Sequence, residues 1–251
     1  MYPQTHVYFA EKVFGFLTEA LALGSIFPDV AAGICADRRE SHGRGRELLA
    51  ASRQDETLLN FAQGVITHGI DPKGIDYYGD EKYLTYERGY CFEKARPLVK
   101  DTIRACNLPP EMGWWKAHNI VEMGIELTIG SRRAYGEVLK EAFANQGLVE
   151  KISSQAAGLY KREPFVFSRR IYGFANYIDT SRVTPQSLAA CYDVQMFTRH
   201  RIRIDVHHVA ELILKAAEIV AGDLDDFFHY VFSNLQKTLL NLSLKKTTGT
   251  R

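Results

Sequence analysis

Apolar residues recur in this chain at three- and four-residue steps along most of its length, which confines it to packed helices. Val7, Ala10, Val13, Phe14 and Leu17 follow that spacing from a start near Thr5, a residue suited to cap a helix. Leu58, Leu59, Ala62, Val65 and Ile66 share one face of a second helix over about 55–70. Further helices are expected over about 84–106, 110–130, 131–145, 147–160, 184–198, 205–221 and 223–243. Alternating segments bounded by tight turns are scarce. The expectation is an all-α fold: one multi-helical domain over 1–245 and a frayed, basic tail over 246–251. Pro28 is read as closing the first helical region, and Gly43 and Gly45 as loosening the stretch after His42. Residues 72–79 read as a polar loop, and Pro109-Pro110 as a helix start. No internal repeat and no biased linker argues for a second domain.

Composition narrows the function classes. With 46% hydrophobic residues over 251 positions, the chain can bury a full core and is not a disordered segment. A net charge of +1 removes any global electrostatic case for a nucleic-acid or membrane partner. Cys35, Cys91, Cys106 and Cys191 are scattered and form no CxxC pair, so reduced thiols are expected rather than disulfides or a thiolate zinc site. No apolar run approaches a membrane span, and the N-terminal stretch lacks the pattern of a secretory signal; a cytoplasmic location is expected.

The residues able to carry chemistry concentrate in the first half. His118 and Glu122 are four apart in a helical pattern, so an imidazole and a carboxylate stack on one face and can grip one cation. His68 and Asp71, three apart, are read the same way. His6 lies in the first turn of its helix, Asp29 follows Pro28, and His42 stands among polar residues. Singly, each has an ordinary structural explanation: a helix-surface pair, a satisfied histidine, a turn cap. The signal lies in the ordered set.

That set resembles the zinc-dependent phospholipase C superfamily, which includes single-strand-specific nucleases. The shared pattern is His6 with Ala10, then Gly24, Pro28 and Asp29, then an isolated His42, then Gly64 with His68, and finally His118 with Glu122. It covers roughly residues 1–130. The resemblance implies one to three zinc ions, with iron or manganese as alternatives. Asp29, His42 and His68 would hold one, and Asp71 would be a shared carboxylate. His6 and Asp71 would serve a neighbouring ion, together with the chain's N-terminal amine. His118 and Glu122 would hold a third. It also implies a metal-activated water attacking a phosphate ester, with Asp29 and Asp71 as the catalytic carboxylates. The chain departs from the family in three places, one of them the Met1 that stands where secreted relatives expose a mature Trp. Its Asp comes three residues after His68 rather than four, and no His lies between 68 and 118, so Asp76 or Asp80 would have to substitute.

The expected substrate is a small phosphoester or lipid head group. A single-strand nuclease is the alternative, with Tyr77, Tyr78, Trp114 and Trp115 as stacking platforms. A helical binding protein with a degenerate metal site is the reading from another class. The tyrosine-rich stretch 75–90 is expected to be a loop beside the site. Glu126 is a spare ligand or a partner of one. Arg199, His200, Arg201 and Arg203 form a basic patch, read as a solvated helix end that has the chemistry to steer a phosphate.

Overall fold

The computed structural model describes residues 1–176, 178 and 183–244, the side chains of 242–244 excepted. The tail expected over 246–251 lies outside the described residues. The chain is 77% helical and forms a single all-α domain without strands among the described residues. Its helices are α1 (Pro3–Phe14), α2 (Glu19–Ala31), α3 (Arg38–His42), α4 (Gly45–Ala51), α5 (Glu56–His68), α6 (Tyr90–Ala95) and α7 (Val99–Ala105). They continue as α8 (Gly113–Arg132), α9 (Gly136–Ala144), α10 (Gln146–Tyr160), α11 (Pro164–Ala175), α12 (Pro185–His200), α13 (Val206–Val220) and α14 (Leu224–Leu244).

Several boundaries differ from the periodicity, each for a local reason. Thr5 does not cap α1; the helix starts at Pro3, where a missing N–H costs nothing. The cap comes instead from α8. Glu126 accepts from the amides of Gln4 (2.8 Å) and Thr5 (2.7 Å) and from the Thr5 hydroxyl (2.7 Å). A buried carboxylate thus satisfies the open N–H groups of a helix it is not part of, and burial pushes its pKa up to about 7 against those three donors. The first helical region breaks at Gly15, in the left-handed conformation (φ 76°), and Pro28 lies inside α2. The stretch around Gly43 and Gly45 folds as two short helices, α3 and α4. The helix expected over 84–106 is shorter and interrupted, because Pro97 falls in a 3₁₀ turn between α6 and α7.

The packing that matters for function is α2 against α5. A Cβ at Gly24 would lie 2.0 Å from the Phe61 carbonyl oxygen, and one at Gly64 would lie 2.3 Å from that of Leu21. Only glycine permits backbones this close. The contact seats Asp29, one turn beyond Ser25, beside His68, one turn beyond Gly64. Around it, Phe9, Phe27, Phe61, Ile66, Ile120 and Ile125 are fully buried. On the other flank Tyr83 and Tyr90 pack on Phe227, and Tyr78 and Tyr83 pack on Tyr230. Much of the tyrosine-rich stretch, expected as a loop beside the site, is therefore packed into the core.

Candidate metal centre

The site gathers at the ends of helices. His68 is the last residue of α5, and its Nδ1 donates to the Ser25 carbonyl of α2 at 2.6 Å. That bond leaves Nε2 as the lone-pair nitrogen facing inward. His42 ends α3 with Nδ1 at 2.7 Å from the Ser41 hydroxyl, which likewise turns its Nε2 inward. Asp29, about one-third exposed, puts Oδ1 3.5 Å from His42 Nε2 and 3.9 Å from His68 Nε2.

The fourth member is Asp76. Its Oδ2 is 3.2 Å from His68 Nε2 and 3.7 Å from His42 Nε2, and its side chain is only 3% exposed. Asp71, the carboxylate expected in this place, points away: it is exposed and pairs with Arg46 at 2.7 Å. The reason is where α5 ends. Three-residue spacing puts side chains on one face only while the helix lasts, and α5 stops at His68. The chain then turns through the 69–76 loop and re-enters with Asp76, which begins a π-helical turn over Tyr77–Glu81. Such turns are rare and concentrate at functional sites.

That turn also delivers Asp80, which joins His118 and Glu122 of α8. Ligand atoms of Asp29, His42, His68 and Asp76 lie within 4.8 Å of one another, and so do those of Asp80, His118 and Glu122. His118 stacks on Phe92 (4.1 Å between ring centroids), and Asn119 Nδ2 lies 3.3 Å from both His118 Nε2 and Glu122 Oε2. The His118–Glu122 pair keeps its expected geometry because α8 runs unbroken through both.

His6 and the Met1 amine join the two groups. The amine is 2.9 Å from both Asp76 Oδ1 and Glu122 Oε1. His6 stacks face to face on His68 at 3.8 Å, with Nε2 3.5 Å from Asp76 Oδ1 and 3.1 Å from the Met1 carbonyl oxygen. Glu126 fixes this arrangement by capping α1 one turn of α8 beyond Glu122. Arg38 lies over the carboxylates, donating to Asp80 Oδ2 at 2.8 Å and to Asp76 Oδ2 at 3.3 Å.

The electrostatics are those of a site short of positive charge. Burial alone would neutralise these groups. Yet His68 and the His42 hydrogen bond outweigh it and hold Asp29 down, and the Met1 amine and His68 do the same for Asp76. Burial lowers the Met1 amine, but Asp76, Glu122, Asp80 and Asp29 together keep it well above its usual value. His68 is raised by Asp76 and Asp29 against burial, whereas burial lowers His6 and His42, and takes His118 down to about 4. Asp80 is pushed up to about 8, by burial first and then by Asp76 and Glu122.

The donor set fits divalent cations. His6 Nδ1, His42 Nε2, His68 Nε2, His118 Nδ1 and Asp80 Oδ1 are all buried without a hydrogen bond. Orphaned polar atoms of that density are rare in native proteins. Neutral imidazole nitrogens facing carboxylates are what zinc-class ions take as ligands. His6 and Met1 stand outside the two tightest groups, but both meet Asp76 of the first, and the Met1 amine also meets Glu122 of the second.

The centre floors a cavity of about 640 Å³, within the range of small-molecule sites. Its far wall comes from α11 and α12, including Phe174, Leu188, Tyr192 and Met196. Of the four aromatic residues expected as stacking platforms, Trp115 alone lines the cavity. Trp114 packs into the core and donates from Nε1 to the Phe92 carbonyl at 2.7 Å. Arg199 and His200, read as part of a solvated helix end, also line the cavity, where His200 Nε2 meets Lys116 Nζ at 2.9 Å. Cys35, Cys91 and Cys106 are free thiols, and among the described residues no helix is long and apolar enough to cross a membrane. No protein-family model, curated protein or solved structure matches this chain.

Proposed function

We infer that this chain is a metal-dependent phosphoester hydrolase using two or three zinc-class ions. The supporting observation is the convergence of Asp29, His42, His68 and Asp76 with Asp80, His118 and Glu122, their inward nitrogens unpaired, at the floor of one cavity. Asp29, His42, His68 and Asp76 would hold one ion and Asp80, His118 and Glu122 a second. Asp76, His6 and the Met1 amine are placed to serve a third.

Bound divalent ions lower the pKa of water from 15.7 toward about 7 and offset charge on a phosphate. The chain's own residues do the rest. Asp29, the most exposed carboxylate of the first group, reaches into the cavity and is held ionised, which suits it to orient an attacking water or take its proton. Arg38 lies at the cavity edge with its guanidinium among the carboxylates, in position to take a phosphate oxygen. The Ser25 carbonyl holds His68 in one tautomer, and the Ser41 hydroxyl orients the His42 ring. Phe174 of α11 and Leu188 and Met196 of α12 give the cavity an apolar wall suited to the organic part of an ester.

The resemblance to the phospholipase C superfamily supports the same reading, with Asp76 in the place expected of Asp71. Metal analysis of the purified chain should return two or three zinc-class ions per molecule, falling by at least one in Asp29→Ala and in His42→Ala. Folded protein that takes up no divalent ion would sink the assignment. Assays on a chromogenic phosphodiester, short-chain lecithin and single-stranded DNA would then rank the substrates.

A further inference from the structure

The part of the cavity lined by Lys116, Arg199 and His200 is basic, and nothing in the proposed metal chemistry uses it. Lys116 is only 4% exposed, yet among the described residues its ammonium has no carboxylate within ion-pair distance. It lies 3.7 Å from the Trp115 ring centroid and 2.9 Å from His200 Nε2. Trp115 and His200 pack edge to face at 5.7 Å, and Arg199, exposed and also without a described carboxylate partner, completes the rim. The other arginines of this patch differ. Arg203 pairs with Asp193 at 2.5 Å, and Arg201 does not line the cavity.

A buried ammonium without a counter-charge is costly, and evolution tolerates it where an anion visits. The cavity's carboxylates, among them Asp29, Asp76, Asp80 and Glu122, belong to the floor and are committed to the metal groups and Arg38. Lys116 comes six residues before Glu122 on α8, about 9 Å along the helix axis at 1.5 Å per residue. A small molecule can span that separation.

We propose that Lys116, Arg199 and His200 form an anion subsite that takes the second phosphate of a small bisphosphorylated substrate whose scissile phosphate lies on the metal centre. The substrate class rests on the hydrolase reading; the subsite rests on the uncompensated cations alone. Lys116 and Arg199 supply charge-assisted hydrogen bonds to the remote phosphate. Trp115, about half exposed, offers an aromatic face between the two ends. Selectivity for doubly phosphorylated esters follows, since a substrate with one phosphate leaves the cations unmatched.

The test uses the full chain as isolated and the 4-nitrophenyl ester of thymidine 5′-phosphate, with its 3′-hydroxyl either free or phosphorylated. The 3′-phosphate should raise kcat/KM by about tenfold or more. Arg199→Ala, at an exposed position that leaves the fold intact, and the volume-conserving Lys116→Met should each bring the ratio of the two substrates close to one. A ratio near one in the unaltered chain, or one unchanged by both substitutions, overturns the proposal. Tryptophan emission gives a readout independent of turnover. Thymidine 3′,5′-bisphosphate should bind about tenfold tighter than thymidine 5′-phosphate, and Arg199→Ala should erase the difference. That emission difference without hydrolysis of either ester would support the anion subsite while sinking the hydrolase reading. Tighter binding of pentathymidylate than of the bisphosphate through the same residues would overturn the small-molecule class.

Discussion

The two ends of the cavity handle buried charge in opposite ways. The floor crowds Asp29, Asp76, Asp80 and Glu122 together and offsets them with the Met1 amine and Arg38. Each of these groups is tied to at least two others, so the floor is over-determined. The rim holds Lys116 against an indole and an imidazole, and Arg199 against solvent, with no described counter-charge. The floor has excess negative charge for cations to complete, and the rim has excess positive charge for an anion to complete. The difference shows that a cavity can be read by which charges its own chain leaves unbalanced, more directly than by its shape.

Breaking the floor should have the largest effect. Asp76→Ala removes a carboxylate shared by His68, His42, His6 and the Met1 amine. Several kcal/mol of charge stabilisation would go with it, so phosphodiesterase activity should fall about 10³-fold and metal content should drop. Asp71→Ala, which releases only an exposed pair with Arg46, should leave both within about twofold. Equal losses in the two variants would return Asp71 to the site and displace Asp76.

Acid should strip the floor before it unfolds the chain. Asp80 titrates near 8 without metal because burial, Asp76 and Glu122 all favour its protonated form. A metal bound at Asp80, His118 and Glu122 must displace that proton, so affinity should rise by up to about tenfold per pH unit toward 8 and fall below it. A competition titration with a chromogenic chelator between pH 6 and 9 measures this. Affinity independent of pH over that range would exclude Asp80 as a ligand.

The helix contact beneath the floor gives the next effect. Gly64→Ala drives a methyl to within 2.3 Å of the Leu21 carbonyl oxygen and 2.5 Å of the Ser25 amide nitrogen. It should cost about 1–3 kcal/mol by thermal melt and lower metal affinity by moving His68 away from Asp29. The smallest effect sharpens the contrast. Lys116→Met relieves an uncompensated buried charge and should leave stability unchanged or raise it by on the order of 1 kcal/mol. A large destabilisation would mean that a counter-charge holds Lys116 in the fold.

Much of the centre was legible from spacing, and where spacing failed the cause is specific. His118 and Glu122 could be paired because α8 continues through both, so a four-residue step carries its ordinary meaning. The same logic misassigned Asp71, because helix periodicity says nothing about a chain that has left the helix, and α5 ends at His68. Asp76 and Asp80 were visible as substitutes for a missing histidine. That they would divide, one to each group, depends on a π-helical turn with no clear signature in the residues. Lys116 carried no signal at all. An interior lysine on a helix reads as a solvated side chain until its neighbours are known.

The sequence by itself determined that the chain is helical and that His6, Asp29, His42, His68, His118 and Glu122 are side chains able to ligate a metal, with Gly24 five residues before Asp29 and Gly64 four before His68. Those are local properties, set by period, residue type and short spacing. Only the tertiary structure decided that Asp76 takes the shared position, that Glu126 caps α1 and so brings the Met1 amine between two carboxylates, and that the basic end of α12 meets Lys116 at the cavity wall. Apart from the short step from His68 to Asp76, these contacts join residues 34 to 122 positions apart, on helices whose docking depends on the whole core, and side-chain periodicity carries no record of which distant surfaces will meet.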